Sequence, residues 1–291
     1  MPSSQEYSTP RGRGGAFSSL RHRQFRWVYA SNMAFFFAMN AQFVVRSVLA
    51  FRLTDSAFSL GLVNLAVALP LLVISPFGGV IADRVEKKRL IMVGQALLFV
   101  NELVVLTLLV TNQLEFWHLL CVMFVMGCLF PFIMPARQSI VANIVGRQGL
   151  PNAMALQMGG MNAARVVGPV TAGLVIALVG VRWMYVFALA LYLAALLAIS
   201  RVDRAYPVLG GEKKSVMGDL LDGIRYVRDD PPVRILLLLS LVPIMLAMPF
   251  QALLVVFAED VWHVGTTGLG VLQAVAGLGG IMGSIFVAWK G

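Results

Sequence analysis

Five stretches of this chain contain no Asp, Glu, Lys or Arg: residues 56–82, 116–136, 183–200, 235–258 and 261–289. A helix needs about 20 mostly apolar residues, each rising about 1.5 Å, to cross the hydrocarbon of a bilayer. Each stretch meets or nears that length. Three further segments, 27–51, 90–114 and 154–181, meet it with one charged residue inside. The alternation expected of a membrane barrel is absent, so these are helices. The chain is 59% apolar and 13% charged, whereas soluble domains run about 45–50% and about 25%. An ordinary cytosolic enzyme, a disordered chain and a disulfide scaffold are excluded. The expectation is an all-α membrane protein with eight transmembrane helices.

The connecting segments fix an orientation. Of 23 Lys and Arg residues, 19 fall before span one, between spans two and three, four and five, six and seven, or after span eight. The other side carries only Arg52 and Arg182, with Asp55, Glu115, Glu259 and Asp260. Basic loops stay in the cytoplasm. That places the N-terminus inside and the protein in the cell membrane as a multi-pass protein. It also accounts for the net charge of +9 without nucleic acid. Residues 1–24 read as a disordered basic tail, 25–200 as a six-helix bundle, 201–232 as a central cytoplasmic loop, and 233–291 as the first two helices of a second bundle. Within the loop, 215–228 has the apolar periodicity of an amphipathic helix lying on the membrane surface.

A shift of 209 residues lays Gln42 on Gln251, Leu60-Gly61 on Leu269-Gly270, and Asn64 on Gln273. Six spans, a basic loop and a fresh start suggest a six-plus-six duplication, eight helices being present of an expected twelve. The complete form would then have about 400 residues. A natural eight-span protein is the alternative.

Residues Gly79-Val80-Ile81-Ala82-Asp83-Arg84-Val85-Glu86-Lys87-Lys88-Arg89 join spans two and three. This run resembles the G-x-x-x-D-R-x-G-R-R-R loop of the major facilitator superfamily, with Glu86 replacing the usual Gly. By that resemblance Gly79, Asp83, Arg84, Lys88 and Arg89 form a conformational latch. Arg137, ending span four on the same side, is a candidate partner for Asp83. In span five, Gly168-Pro169-Val170-Thr171-Ala172-Gly173 resembles the superfamily's antiporter motif, with Ala172 in place of a glycine. Gly160, Ala164, Gly168 and Ala172 make a small-residue stripe for close helix approach, and the resemblance implies that it meets span eight. The runs Leu53-Thr54-Asp55-Ser56, Met134-Pro135-Ala136-Arg137-Gln138 and Gly223-Ile224-Arg225-Tyr226-Val227-Arg228 are similar to the branch that includes enterobactin siderophore and macrolide exporters. A major facilitator-type bundle exporting an amphipathic drug or siderophore against protons is what the resemblance implies. Metabolite uptake, and a non-transporting subunit or sensor, are the alternatives.

Charges inside spans cost at least about 2.5–3.5 kcal/mol and require a partner or a wet cavity. Glu102 sits near the middle of span three, where a desolvated carboxyl is suited to carrying protons; neutralising a neighbouring Arg as a structural pair is the reading favoured over it. Arg46 is near the outer end of span one, within snorkelling reach of the interface. Arg165 lies deeper, for an anionic substrate or for Glu102. Asn40, Gln42 and Gln251 are polar cavity candidates or interhelical bonding groups. His22, His118 and His263 are too scattered for a metal site, and the phosphate-binding and hydrolase motifs are absent. The expectation is therefore no cofactor and no enzyme activity, with lipid, a small molecule and protons as partners.

Overall fold

The computed structural model describes residues 18–203, 225–239 and 257–265, with isolated positions between 218 and 279. A one-turn helix at Ser18–Arg21 leads into α1 (Arg23–Thr54), α2 (Ala57–Arg84) and α3 (Lys87–Val110). Then follow α4 (Phe116–Gly146), α5 (Gln148–Val179) and α6 (Val181–Ser200). All six are long and apolar enough to cross a membrane. The eight spans expected thus reduce to six among the described residues. Most of expected spans seven and eight, the tail before residue 18 and most of the loop helix at 215–228 lie outside them.

Local chemistry sets the boundaries. Asp55 closes α1 in a left-handed conformation at φ 47°. Ser56 then caps α2 by accepting from the Phe58 N–H at 3.3 Å. Glu115 and His118 form a reciprocal capping box that starts α4. Gly146, at φ 66° and ψ 179°, breaks what would otherwise be one continuous helix into α4 and α5. Gly180, at φ 93°, separates α5 from α6; both conformations suit glycine alone. Asp230 accepts from the Val233 N–H at 3.4 Å, starting the helical segment 231–239 with Pro231 at its first position.

The helices alternate in direction, so the starts of α1, α3 and α5 gather with the ends of α2, α4 and α6. This is the basic end. Lys88 Nζ donates to the Ser200 carbonyl at 2.9 Å, satisfying the C-terminus of α6. Gln24 and Asp203 exchange two hydrogen bonds. The Ser19 N–H donates to Asn152 Oδ1 at 3.1 Å. Residues 18–24 are therefore a docked turn and the first residues of α1, not part of a disordered tail. Leu20 of this turn packs against the core at this end, beside the buried Phe25 of α1.

Helix α1 is the bundle's axis. Its Phe35 meets Phe130 of α4 and Tyr192 of α6 at ring distances of 6.4 and 5.9 Å. Gly160 of α5 sits so close that a Cβ there would lie 2.1 Å from Met33 Sδ. At Gly168 the corresponding distance is 3.0 Å, to Asn40 Cβ. Two glycines of the small-residue stripe of α5, Gly160 and Gly168, thus pack on α1. Contact with the expected eighth span falls on the neighbouring face, where a Cβ on Gly277 would lie 2.4 Å from Val166 Cγ2. Helix α2 packs against α4 through Gly78 on Pro131 and Gly127 on Val67. Its other face exposes Phe58, Leu65, Leu69, Leu72 and Val73. Such a belt is a liability in water and ordinary in lipid.

Candidate functional site

Most of the buried polar side chains among the described residues gather at two levels, each with residues from α1, α3, α4 and α6. On α3 the residues are Gln95 and Glu102; on α6, Tyr192 and Tyr185. Seven residues make two helical turns, about 10.5 Å, so each pair lies on one face of its helix. All four are fully or almost fully buried. Between the levels lie Phe35, Leu98 and Ile133, also buried.

The level farther from the basic end is an ion pair. Arg46 of α1 donates from Nη2 to Glu102 Oε1, and from Nη1 to the Met126 sulfur at 2.9 Å. Their side chains are only 4% and 1% exposed. Arg46 therefore does not snorkel. A carboxylate within reach across the bundle is a better partner than the distant interface, and pairing offsets the cost of burying either charge. Tyr185 and Tyr192 stand within electrostatic reach of both members. One oxygen of Glu102, Nε of Arg46, the Tyr185 hydroxyl and both amide atoms of Gln42 lack hydrogen-bond partners among the described residues. Gln42 is one turn before Arg46 on α1, so these groups share a neighbourhood.

The level nearer the basic end is built around Arg137. It is 1% exposed, although the charge-free count ended span four just before it. Helix α4 continues to Gly146, because neutral acceptors surround the guanidinium. Nη1 donates to Asn32 Oδ1 and, at 3.4 Å, to Ser31 Oγ. Nη2 donates to Gln95 Oε1. Gln95 donates onward to the Tyr192 carbonyl at 3.0 Å, and Asn32 to Gln157 Oε1 of α5 at 3.0 Å. The Phe35 ring lies 4.2 Å from the guanidinium carbon, in cation–π range.

The other expected residues are placed as follows. Arg165 is exposed and stands apart from Glu102's ion pair. Asn40 bonds within its own helix, to the Phe36 carbonyl at 2.7 Å. Gly168, Pro169, Ala172 and Gly173 are buried in α5. Near the end of α2, a Cβ on Gly79 would meet nothing among the described residues, whereas one on Gly78 would lie 2.3 Å from the Pro131 carbonyl oxygen. Gly78, not Gly79, makes the close approach within this bundle. Arg84 and Arg89 are exposed, and Lys88 is tied to α6. The side chain of Asp83, and Gln251 entirely, lie outside the described residues. Sequence reasoning passed over Ser31, Asn32, Gln95, Gln157, Tyr185 and Tyr192. The available signal was the seven-residue spacing of Gln95 from Glu102 and of Tyr185 from Tyr192.

Six antiparallel apolar helices around a buried polar interior define a multi-pass membrane protein of the transporter type. A family model described as transmembrane secretion effector, a major facilitator family, matches residues 14–289, and the chain belongs to that family. It is 30% identical over 240 residues to the multidrug efflux pump Tap of Mycolicibacterium fortuitum, covering 79% of this chain and 58% of that protein. It is 27% identical over 212 residues to the enterobactin exporter EntS of Shigella boydii, covering 72% and 49%. With the MFS-type transporter YfiS of Bacillus subtilis it shares 23% over 194 residues, covering 64% and 45%. The chain spans about half the length of the curated relatives it matches.

Proposed function

We propose that this chain supplies the first bundle of a proton-coupled exporter for an amphipathic small molecule of the drug or siderophore kind. Alternating access would move the substrate between two bundles, with the protein in the cell membrane and its basic end in the cytoplasm. Family membership, and the efflux names of the relatives, support export. The observation that favours proton coupling is the Arg46–Glu102 pair. It is a buried carboxylate with one oxygen unbonded among the described residues, held by a single cation in the bundle core. Protonating Glu102 would release Arg46, which would then turn to the neighbouring oxygens of Gln42 and Tyr185 on α1 and α6. Proton binding would thereby become a change in helix contacts.

A second role for the pair is purely structural, favoured by its closed geometry. In either case the α2–α3 loop, with Asp83, Arg84, Lys88 and Arg89, serves as the latch at the cytoplasmic end. Everted vesicles carrying the full-length protein separate these possibilities. Dye accumulation should follow an imposed pH gradient and collapse when the gradient is dissipated. If accumulation ignores the gradient in wild type, proton coupling is wrong. If it needs the gradient but Glu102→Gln behaves as wild type, the pair is structural only.

A further inference from the structure

Helix α5 has two exposed sides, and they differ in chemistry. Ala163, Val167 and Leu174 are exposed on one, all apolar and suited to lipid. Met158 and Arg165 are exposed on the other, with Asn162 half-buried between them. At about 100° per residue, Met158 and Arg165 fall nearly on one line and Asn162 within about 60° of it, whereas Val167 is about 160° away. The same count places Arg165 between the face that packs on α1, at Gly160 and Gly168, and the side at Val166 that meets Gly277. Arg165 is thus turned toward the space between α1 and the segment carrying Gly277.

Arg165 stands near the middle of α5 (Gln148–Val179). A charge at that depth is expensive in lipid, and such residues face a wet cavity or a partner. Glu102 is the one acidic residue within the eight apolar segments, and it pairs with Arg46. Asp83 is too far along the bundle. Its neighbour Ala82 shares the basic-end core with Ala153, and Arg165 lies 12 residues, about 18 Å, beyond Ala153. Glu259 and Asp260 precede Gly277 by 17 residues or more.

We infer that this side of α5 recognises the anionic group of the transported molecule, which makes the substrate an amphipathic organic anion such as a carboxylate. The Arg165 guanidinium can present two parallel N–H donors to a carboxylate. Asn162 adds an amide donor one turn away. The thioethers of Met158 and the half-buried Met161 give flexible apolar contact to varied carbon skeletons. The inference rests on the exporter reading and narrows its substrate class.

The test is equilibrium binding to the full-length protein in lipid nanodiscs, with empty nanodiscs subtracted. The probes are dansylaminoundecanoic acid, in its ionised form, and its neutral carboxamide. Wild type should bind the acid about tenfold or more tightly than the amide. Arg165→Gln should erase that preference by weakening the acid alone. Arg165→Lys, which keeps the charge but loses the planar fork, should weaken the acid several-fold, spare the amide, and serve if the Gln variant does not fold. Equal affinities in wild type, or no binding of either probe, overturn the site. So does an Arg165→Gln protein that weakens both probes alike, since a structural role would do that. The two readings fail separately. Vesicles that accumulate no dye would count against export and leave the acid preference measurable, whereas loss of the preference would leave export of neutral or cationic dyes untouched.

Discussion

The two polar levels of the bundle use the same residue types and differ in one respect. At the outer level Arg46 meets a carboxylate, and the charges cancel within the fold. At the level nearer the basic end Arg137 meets, among the described residues, neutral oxygens and an aromatic ring. The surroundings are otherwise alike: the same four helices, buried tyrosines, and apolar residues above and below. One level pairs its charges but leaves several polar atoms without partners among the described residues; the other is well hydrogen-bonded but shows no carboxylate partner among them. A titratable acid belongs to the first, so a proton is the ligand it can take. A fixed cation held by neutral oxygens dominates the second.

The contrast predicts an order of mutational effects. The largest should come from Arg46→Met, which strands Glu102 as an uncompensated charge and should cost about 3–5 kcal/mol. The double variant Arg46→Met/Glu102→Met should recover most of that loss, as a thermal-unfolding double-mutant cycle would read. Arg137→Met removes a cation held, among the described residues, by neutral groups, together with its hydrogen bonds. It should cost less, about 1–3 kcal/mol from the orphaned Asn32 and Gln95 oxygens, and equal or greater loss than Arg46→Met would erase the distinction between levels.

Gly94→Ala probes the spacing between the levels. A Cβ there would fall 2.5 Å from Ile133 Cγ1, wedging α3 from α4. About 1–3 kcal/mol should be lost, with both levels loosened together, seen as faster proteolysis at both ends of the bundle. The smallest effect belongs to Tyr185→Phe, which removes a buried hydroxyl unbonded among the described residues. Stability should change by less than about 1 kcal/mol. A larger loss would mean that the hydroxyl is engaged with the Arg46–Glu102 pair.

Much of this architecture is legible in the sequence because lipid imposes so plain a rule. Long charge-free segments located α2, α4 and α6, and single interruptions located α1, α3 and α5. The same rule misplaced Arg137, since a charge-free stretch ends at the first charge it meets. It cannot see that Asn32, Ser31 and Gln95 converge on it from other helices. For Arg46, sequence position near a span end suggested an interfacial side chain, and only the packing of α1 against α3 shows the carboxylate opposite. The stripe of Gly160, Ala164, Gly168 and Ala172 was legible as a close-packing face, but which helix it meets is a property of the assembled bundle. Gly78 and Gly79 are adjacent in sequence and differ by about 100° around the helix, which decides which of them meets Pro131.

The most direct measurement is pH-driven dye accumulation in proteoliposomes of the full-length protein, comparing wild type with Glu102→Gln. Wild type should concentrate dye against its gradient when a pH gradient is imposed. Glu102→Gln should still exchange dye down its gradient but lose pH-driven accumulation. Full pH-driven accumulation by Glu102→Gln would contradict a proton role for the outer level and leave the Arg46–Glu102 pair as a structural tie between α1 and α3.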